Sequence, residues 1–140
     1  MNNANLFLVS MKIKSFTIPS IPPSSNTRLI RSRTTKQLIS SSDYRDWKEA
    51  ATLIVAGERF VVDKKHYPIK VSINVYGGKD FDKRRDLANV EKPICDAMKS
   101  AGMIVDDNVK FVNEISMSFK AITGQSYIFV EIEKDEDYKN

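Results

Sequence analysis

At 140 residues, 41% apolar and 29% charged, the chain is sized for one domain with a real core, and no run of about 18 apolar residues offers a membrane span. One cysteine, Cys95, and one histidine, His66, exclude a disulfide framework and any multi-cysteine or His-rich metal site and argue against a catalytic triad, so metal chemistry would run on carboxylates, which suit hard Mg²⁺ or Mn²⁺. The net charge of +4 hides a division: residues 1–85 carry 16 Lys/Arg against 7 Asp/Glu, and residues 86–140 carry 6 against 11. This distribution fits either a polyanion-binding surface beside a gathering of carboxylates or simply solvated charged faces.

Residues 1–12 are expected to be an N-terminal extension, and the apolar run at 6–9 is too short for a secretory leader. Residues 13–18 alternate apolar and polar, which predicts a strand. Pro19, Pro22 and Pro23 stop it, and the Ser/Thr/Arg-rich stretch 20–41 is expected to be a long loop, of the functional or mobile kind. A helix is predicted over 42–56, capped by Ser42 or Asp43 and ended by Gly57, with Tyr44, Trp47, Ala51, Ile54 and Val55 at helical spacing. A strand follows at 69–76, broken by the turn Gly77-Gly78.

A second helix is predicted over 87–101, where Leu87, Val90, Ile94, Met98 and Ala101 make one apolar stripe. Asn89, Lys92, Asp96 and Lys99 occupy the other side, and Gly102 ends the helix. Pro93 should sit in the first turn or bend the helix, which moves the expected start towards Asn89. Strands at 110–121 and 126–133 follow, joined by Thr123-Gly124-Gln125, and residues 134–140 form an acidic tail expected to fray. The order β-α-β-α-β-β predicts an α+β fold: a single domain over 13–133, with a mixed β-sheet and two main helices.

Two basic clusters stand out, Arg28/Arg31/Arg33/Lys36 and Lys83-Arg84-Arg85, the second directly before Asp86. A helix over 87–101 is about 22 Å long at ~1.5 Å per residue. Residues 102–107, extended at ~3.3 Å each, run back about 20 Å. Asp106 or Asp107 can therefore return beside Asp86, where carboxylates would repel unless a divalent cation neutralised them. Such a site would suit metal-assisted phosphodiester hydrolysis, with Arg84 and Arg85 holding phosphate. The plainer alternative makes Asp86 a helix cap, Asp106-Asp107 a turn and Lys92/Asp96 a surface pair.

Arg85-Asp86-Leu87, Asn89, Lys92, Asp96-Ala97, Ala101-Gly102 and Asp106-Asp107 occur in the order of a known pattern. Ile18-Pro19, Pro22-Pro23-Ser24, Asn26 and Tyr44-Arg45-Asp46 match its amino-terminal part. Together they resemble the RusA family of Holliday junction resolvases. The resemblance implies a RusA-like fold and a small homodimeric Mg²⁺-dependent endonuclease, with Mn²⁺ as a substitute. It implies binding of DNA four-way junctions and symmetric nicking of two opposing strands, in recombination and repair. Such enzymes are carried by phages and prophages, which places them in the host cytoplasm.

By position, Asp86 and Asp107 would bind metal with Asp106 beside them, Lys92 would contact the scissile phosphate or developing charge, and Asn89 would support the site. DNA contact would come from Arg28, Arg31, Arg33, Lys36, Lys83, Arg84 and Arg85. The family pattern has a second aspartate two residues after the first, and here that position is Ala88. Compensation by Glu91, a weakened or inactive junction-binding protein, and an engineered substitution all stay open. With Asp86 at 0°, ~100° steps put Ala88 at about 200° and Glu91 at about 140°, on neighbouring lines of the helix. Asp96, at about 280°, is the poorer substitute. A basic RNA-binding domain is a weaker reading, because the Gly/aromatic motif of an RRM strand is missing. Trp47, Tyr44 and Cys95 are expected in the core, and His66 in a loop or at a phosphate.

Overall fold

The computed structural model describes residues 11–24, 29–31, 38–40 and 42–136. Among these the elements run β1 (Met11–Ile18), β2 (Leu29–Arg31), β3 (Leu38–Ser40), α1 (Ser42–Gly57), β4 (Ile69–Gly77), α2 (Ala88–Ser100), β5 (Val112–Ala121) and β6 (Tyr127–Lys134), with a 3-10 turn at Lys64–His66. The main sheet has the spatial order β1-β6-β4-β5. β6 is antiparallel to both neighbours, while β4 and β5 are parallel and joined through α2. The fold is thus α+β with one mixed sheet. No helix among the described residues is long and apolar enough to cross a membrane.

Period-2 patterning explains the sheet. Ile69, Val71, Ile73 and Val75 of β4 are buried on the same face as Ile128, Val130 and Ile132 of β6 and Phe16 and Ile18 of β1. Both helices close that face: Trp47, Ala51 and Val55 from α1 and Val90, Ile94, Cys95, Ala97 and Met98 from α2 join the same core. The opposite face is mixed: Ser116 Oγ donates to Ser72 Oγ (3.0 Å) and Ser118 Oγ to Asn74 Oδ1 (2.8 Å), while Tyr76 stacks on Tyr127 at 4.7 Å between centroids. Trp47 and Cys95 are core residues, as their spacing predicts.

Two features differ from the sequence expectations, and the position of Pro93 is settled between its alternatives only in part. The stretch 20–41 is not all loop, because β2 and β3 pair as a short antiparallel hairpin. Strands of three residues are too short to show alternation. β1 also starts at Met11, which pairs with Lys134 at the end of β6. Pro93 lies inside α2, beyond the first turn. Leu87 already has helical angles (φ −60°, ψ −36°), and the entry is wound tightly by Asn89 N donating to Asp86 O (3.1 Å) and Val90 N to Leu87 O (3.0 Å). The Pro93 ring is buried in the core.

The far end of α2 closes as expected. Gly102 has φ +78°, Met103 N donates to Met98 O and Gly102 N to Lys99 O, both at 3.0 Å. These paired bonds are a Schellman stop, and glycine supplies the left-handed residue it needs. Met103 and Ile104 then bury at once, which turns the following residues back along α2.

Candidate active site

The returning segment sets Asp106 and Asp107 against the polar stripe of α2. Lys92 Nζ lies 3.0 Å from Asp107 Oδ2 and 3.2 Å from Asp96 Oδ1. Lys99 Nζ lies 3.3 Å from Asp107, 3.5 Å from Asp96 and 3.7 Å from Asp106. Two ammonium groups thus bind three carboxylates together. Asp107 N donates to Asp106 Oδ1 (2.7 Å) and Asn108 Nδ2 to Asp106 Oδ2 (3.1 Å), which fixes the tip of the loop.

The charges respond to this packing. Partial burial pushes the Asp107 carboxyl up, but hydrogen bonds from Lys92 and Lys99 outweigh it and hold the group below the usual carboxylate range. The bond to Asp107 is the main reason Lys92 is held above the ordinary lysine value, with partial burial opposing and Asp96 adding. Cys95, directly beneath, is pushed up to about 12 by burial first and by the charges of Glu91 and Asp107 next. It is a packing thiol, buried in the core.

Asp86 lies at the entry to α2, where Leu87 takes the N-cap position. It lines a basin of about 1090 Å³ with Asn89, Arg84, Arg85, Asp82 and Asp80 on one wall and residues 20–24 with Asp43 and Trp47 on the other. Arg85 Nη1 donates to Pro22 O (2.6 Å), and its guanidinium stands 6.0 Å from the Phe81 ring centroid. It therefore clamps the Pro-Pro segment onto the loop before α2. Arg84 is exposed and forks onto Asp82, with both nitrogen–oxygen distances at 3.0 Å. Trp47 Nε1 donates to Ser20 Oγ (3.0 Å), closing the basin from α1. Lys83 is exposed. Arg28, Arg33 and Lys36 lie outside the described residues, and Arg31 falls in β2.

Asp80 was not singled out by its spacing. Its carboxylate accepts from Ser126 Oγ (2.6 Å) and Ser126 N (2.8 Å), while Ser126 Oγ accepts from Gly78 N (2.8 Å). The Ser126 hydroxyl and then its amide hold the Asp80 carboxyl below its ordinary value. Its contribution is complete above the unfolded aspartate pKa of about 3.9 and is lost as pH falls through the lowered folded value. Gly78 is required here because a Cβ would meet Gly124 O at 2.0 Å. Ser126→Ala should therefore destabilise the chain by about 1–3 kcal/mol, since it strips the Gly78 amide of its acceptor. Thermal melting checks this, and an unchanged midpoint would mean that water replaces the hydroxyl.

Asp96, Asp106 and Asp107, held on the same Lys99, are carboxylates, the ligand type that suits a hard divalent cation. Among the described residues, however, no three acidic, histidine or cysteine side chains converge as a ready-made ligand set. Asp107 gives its oxygens to Lys92 and Lys99, and Ala88 contributes no donor on the exposed first residue of α2. The residue that sequence reasoning missed is Lys99. Its signal was present in the stripe Lys92, Asp96, Lys99, which shares one helix line at spacings of four and three.

The fold is a small α+β domain whose crossover helix carries a cluster of lysines and carboxylates. The family model described as endodeoxyribonuclease RusA matches residues 19–133. The chain therefore belongs to the RusA endodeoxyribonuclease family, whose activity is that of Holliday junction resolvases. No curated protein matches it.

Proposed function

We propose that the chain is a Mg²⁺-dependent endonuclease that nicks two opposing strands of a DNA four-way junction. The observation carrying this reading is the 3.0 Å contact between Lys92 and Asp107, which joins the two separated halves of the acidic motif. Asp86, Asp106, Asp107 and Glu91 would hold the cation, with Mn²⁺ as substitute, and Asn89 would support them. When bound, the cation supplies polarisation of the phosphoryl oxygen and a more acidic water. Lys92 is 59% exposed at its side chain, so its ammonium reaches solvent and would meet the scissile phosphate. Lys83, Arg84 and the cluster Arg28, Arg31, Arg33 and Lys36 would contact the backbone, and Arg85 would shape the basin beside Asp86. The nuclease domain would span 13–133, and the phage or prophage origin and cytoplasmic setting implied by the resemblance go with this reading.

Two opposing nicks need two sites, and one chain offers one. A C₂ homodimer would supply both in register with the junction's own pseudo-symmetry. Cleavage of a labelled four-way junction in Mg²⁺, with binding followed in Ca²⁺, tests the reading; sedimentation of the same complex tests the dimer. Paired symmetric nicks and two chains per junction are expected. Binding without nicks would favour the second reading, a junction-binding protein disabled at Ala88. Failure to bind junctions would remove both.

A further inference from the structure

At the end of the sheet where β4 begins and β6 ends, a second concavity of about 790 Å³ lies away from the basin of Asp86. Tyr67 and Phe111 line it, edge to face at 5.2 Å between centroids. Lys64, Lys65, Lys110 and Lys134 line it as well. We propose that this groove holds the phosphate backbone of a duplex arm of the junction, as a DNA-contact surface apart from the basin of Asp86. The proposal rests on the junction-nuclease reading.

Charge accounting favours an anionic occupant. Lys12, Lys14, Lys70, Lys92 and Lys99 each have a carboxylate within 4 Å. Among the described residues the four groove lysines have none. They are nonetheless oriented: Lys134 Nζ donates to Lys65 O (2.8 Å), and Lys110 Nζ stands 5.6 Å from the Phe111 centroid. Two acids, Asp135 and Glu136, also line the groove. Asp135 is buried and already engaged by Lys70 (3.9 Å) and by the Asn113 amide, so it cancels little of the lysine charge. Uncancelled ammonium groups around a concave wall of low dielectric concentrate positive potential.

Position favours DNA as that occupant. The loop carrying Asp106 and Asp107 also carries Val105 and Lys110, and both line the groove. Val105 N donates to Tyr67 Oη (3.1 Å), which pins the loop to the groove wall. A backbone held at Lys110 would therefore be held three residues from Asp107. Lysines act as point charges without the planar fork that reads base edges, so the groove should grip without sequence preference.

The triple variant Lys64→Gln, Lys65→Gln, Lys110→Gln tests this in the full chain, beside its Lys→Arg counterpart. Junction affinity is measured in Ca²⁺ across a salt series, and cleavage is followed in single turnover at saturating protein in Mg²⁺. The Gln variant should bind at least about 10-fold more weakly and show a log K against log salt slope shallower by about 2–3, at ~0.9 per lost phosphate contact. The Arg variant should restore both, and the saturated cleavage rate should stay within about twofold of the parent, because no groove lysine is placed at the reacting phosphate. A parent that binds junctions while the Gln variant keeps the parental affinity and slope overturns the groove alone. A parent that binds no junction overturns the functional reading and the groove with it.

Discussion

Asp107→Asn should lower junction cleavage at least about 1000-fold, equivalent to ~4 kcal/mol of barrier, while junction binding stays the same or tightens. The substitution removes the charge that would hold a cation but keeps an oxygen able to accept from Lys92 or Lys99, so the loop should remain seated on α2. It also frees positive charge: both ammonium groups now face Asp107 at 3.0 and 3.3 Å and would lose part of their neutralisation. Phosphate attraction cannot fall when a carboxylate becomes neutral. Asp86→Asn should behave alike if Asp86 joins Asp107 at the reacting phosphate, although it stands in the basin at the helix entry. The paired measurement separates the two positions. Loss of cleavage in Asp107→Asn with a normal rate in Asp86→Asn would confine the centre to the lysine-bound cluster, and normal rates in both would remove the site assignment.

Much of this arrangement follows from patterns in the chain. β4 and β6 are legible because every second residue is a branched apolar side chain facing one core. The end of α2 is legible because Gly102 follows the last turn and takes the left-handed conformation of a Schellman stop. Chain reach is different in kind. Reach allows an extended segment 102–107 to run back along α2 towards Asp86, but it does not name the partners met on the way. With Met103 and Ile104 buried, Asp107 meets Lys92 and Lys99. Nor does spacing tell an arginine that grips phosphate from one that turns inward. Arg84 and Arg85 are adjacent, yet one is exposed on Asp82 and the other donates to Pro22 O. That difference comes from where the proline segment packs, a contact across 63 positions that no local pattern encodes.

The missing carboxylate at position 88 gives the second large effect. Ala88 is exposed at the first residue of α2, and Glu91, one turn later, is half-buried. Glu91 stands one residue before Lys92, the lysine that Asp107 meets at 3.0 Å. Its longer side chain and its neighbouring line on the helix make it the nearest substitute for an aspartate at 88. Glu91→Gln should then lower cleavage at least about 100-fold, equivalent to ~3 kcal/mol of barrier, and raise the Mg²⁺ concentration that cleavage requires. A role limited to the helix dipole would change stability by only about 0.3–1 kcal/mol and leave the Mg²⁺ requirement untouched. Ala88→Asp is the complementary measurement. With Glu91 in place as the substitute, restoring the aspartate should add little. A strong rise in activity from Ala88→Asp together with a silent Glu91→Gln would show that the carboxylate at 88 has no replacement, and that this chain binds junctions through a centre short of one ligand.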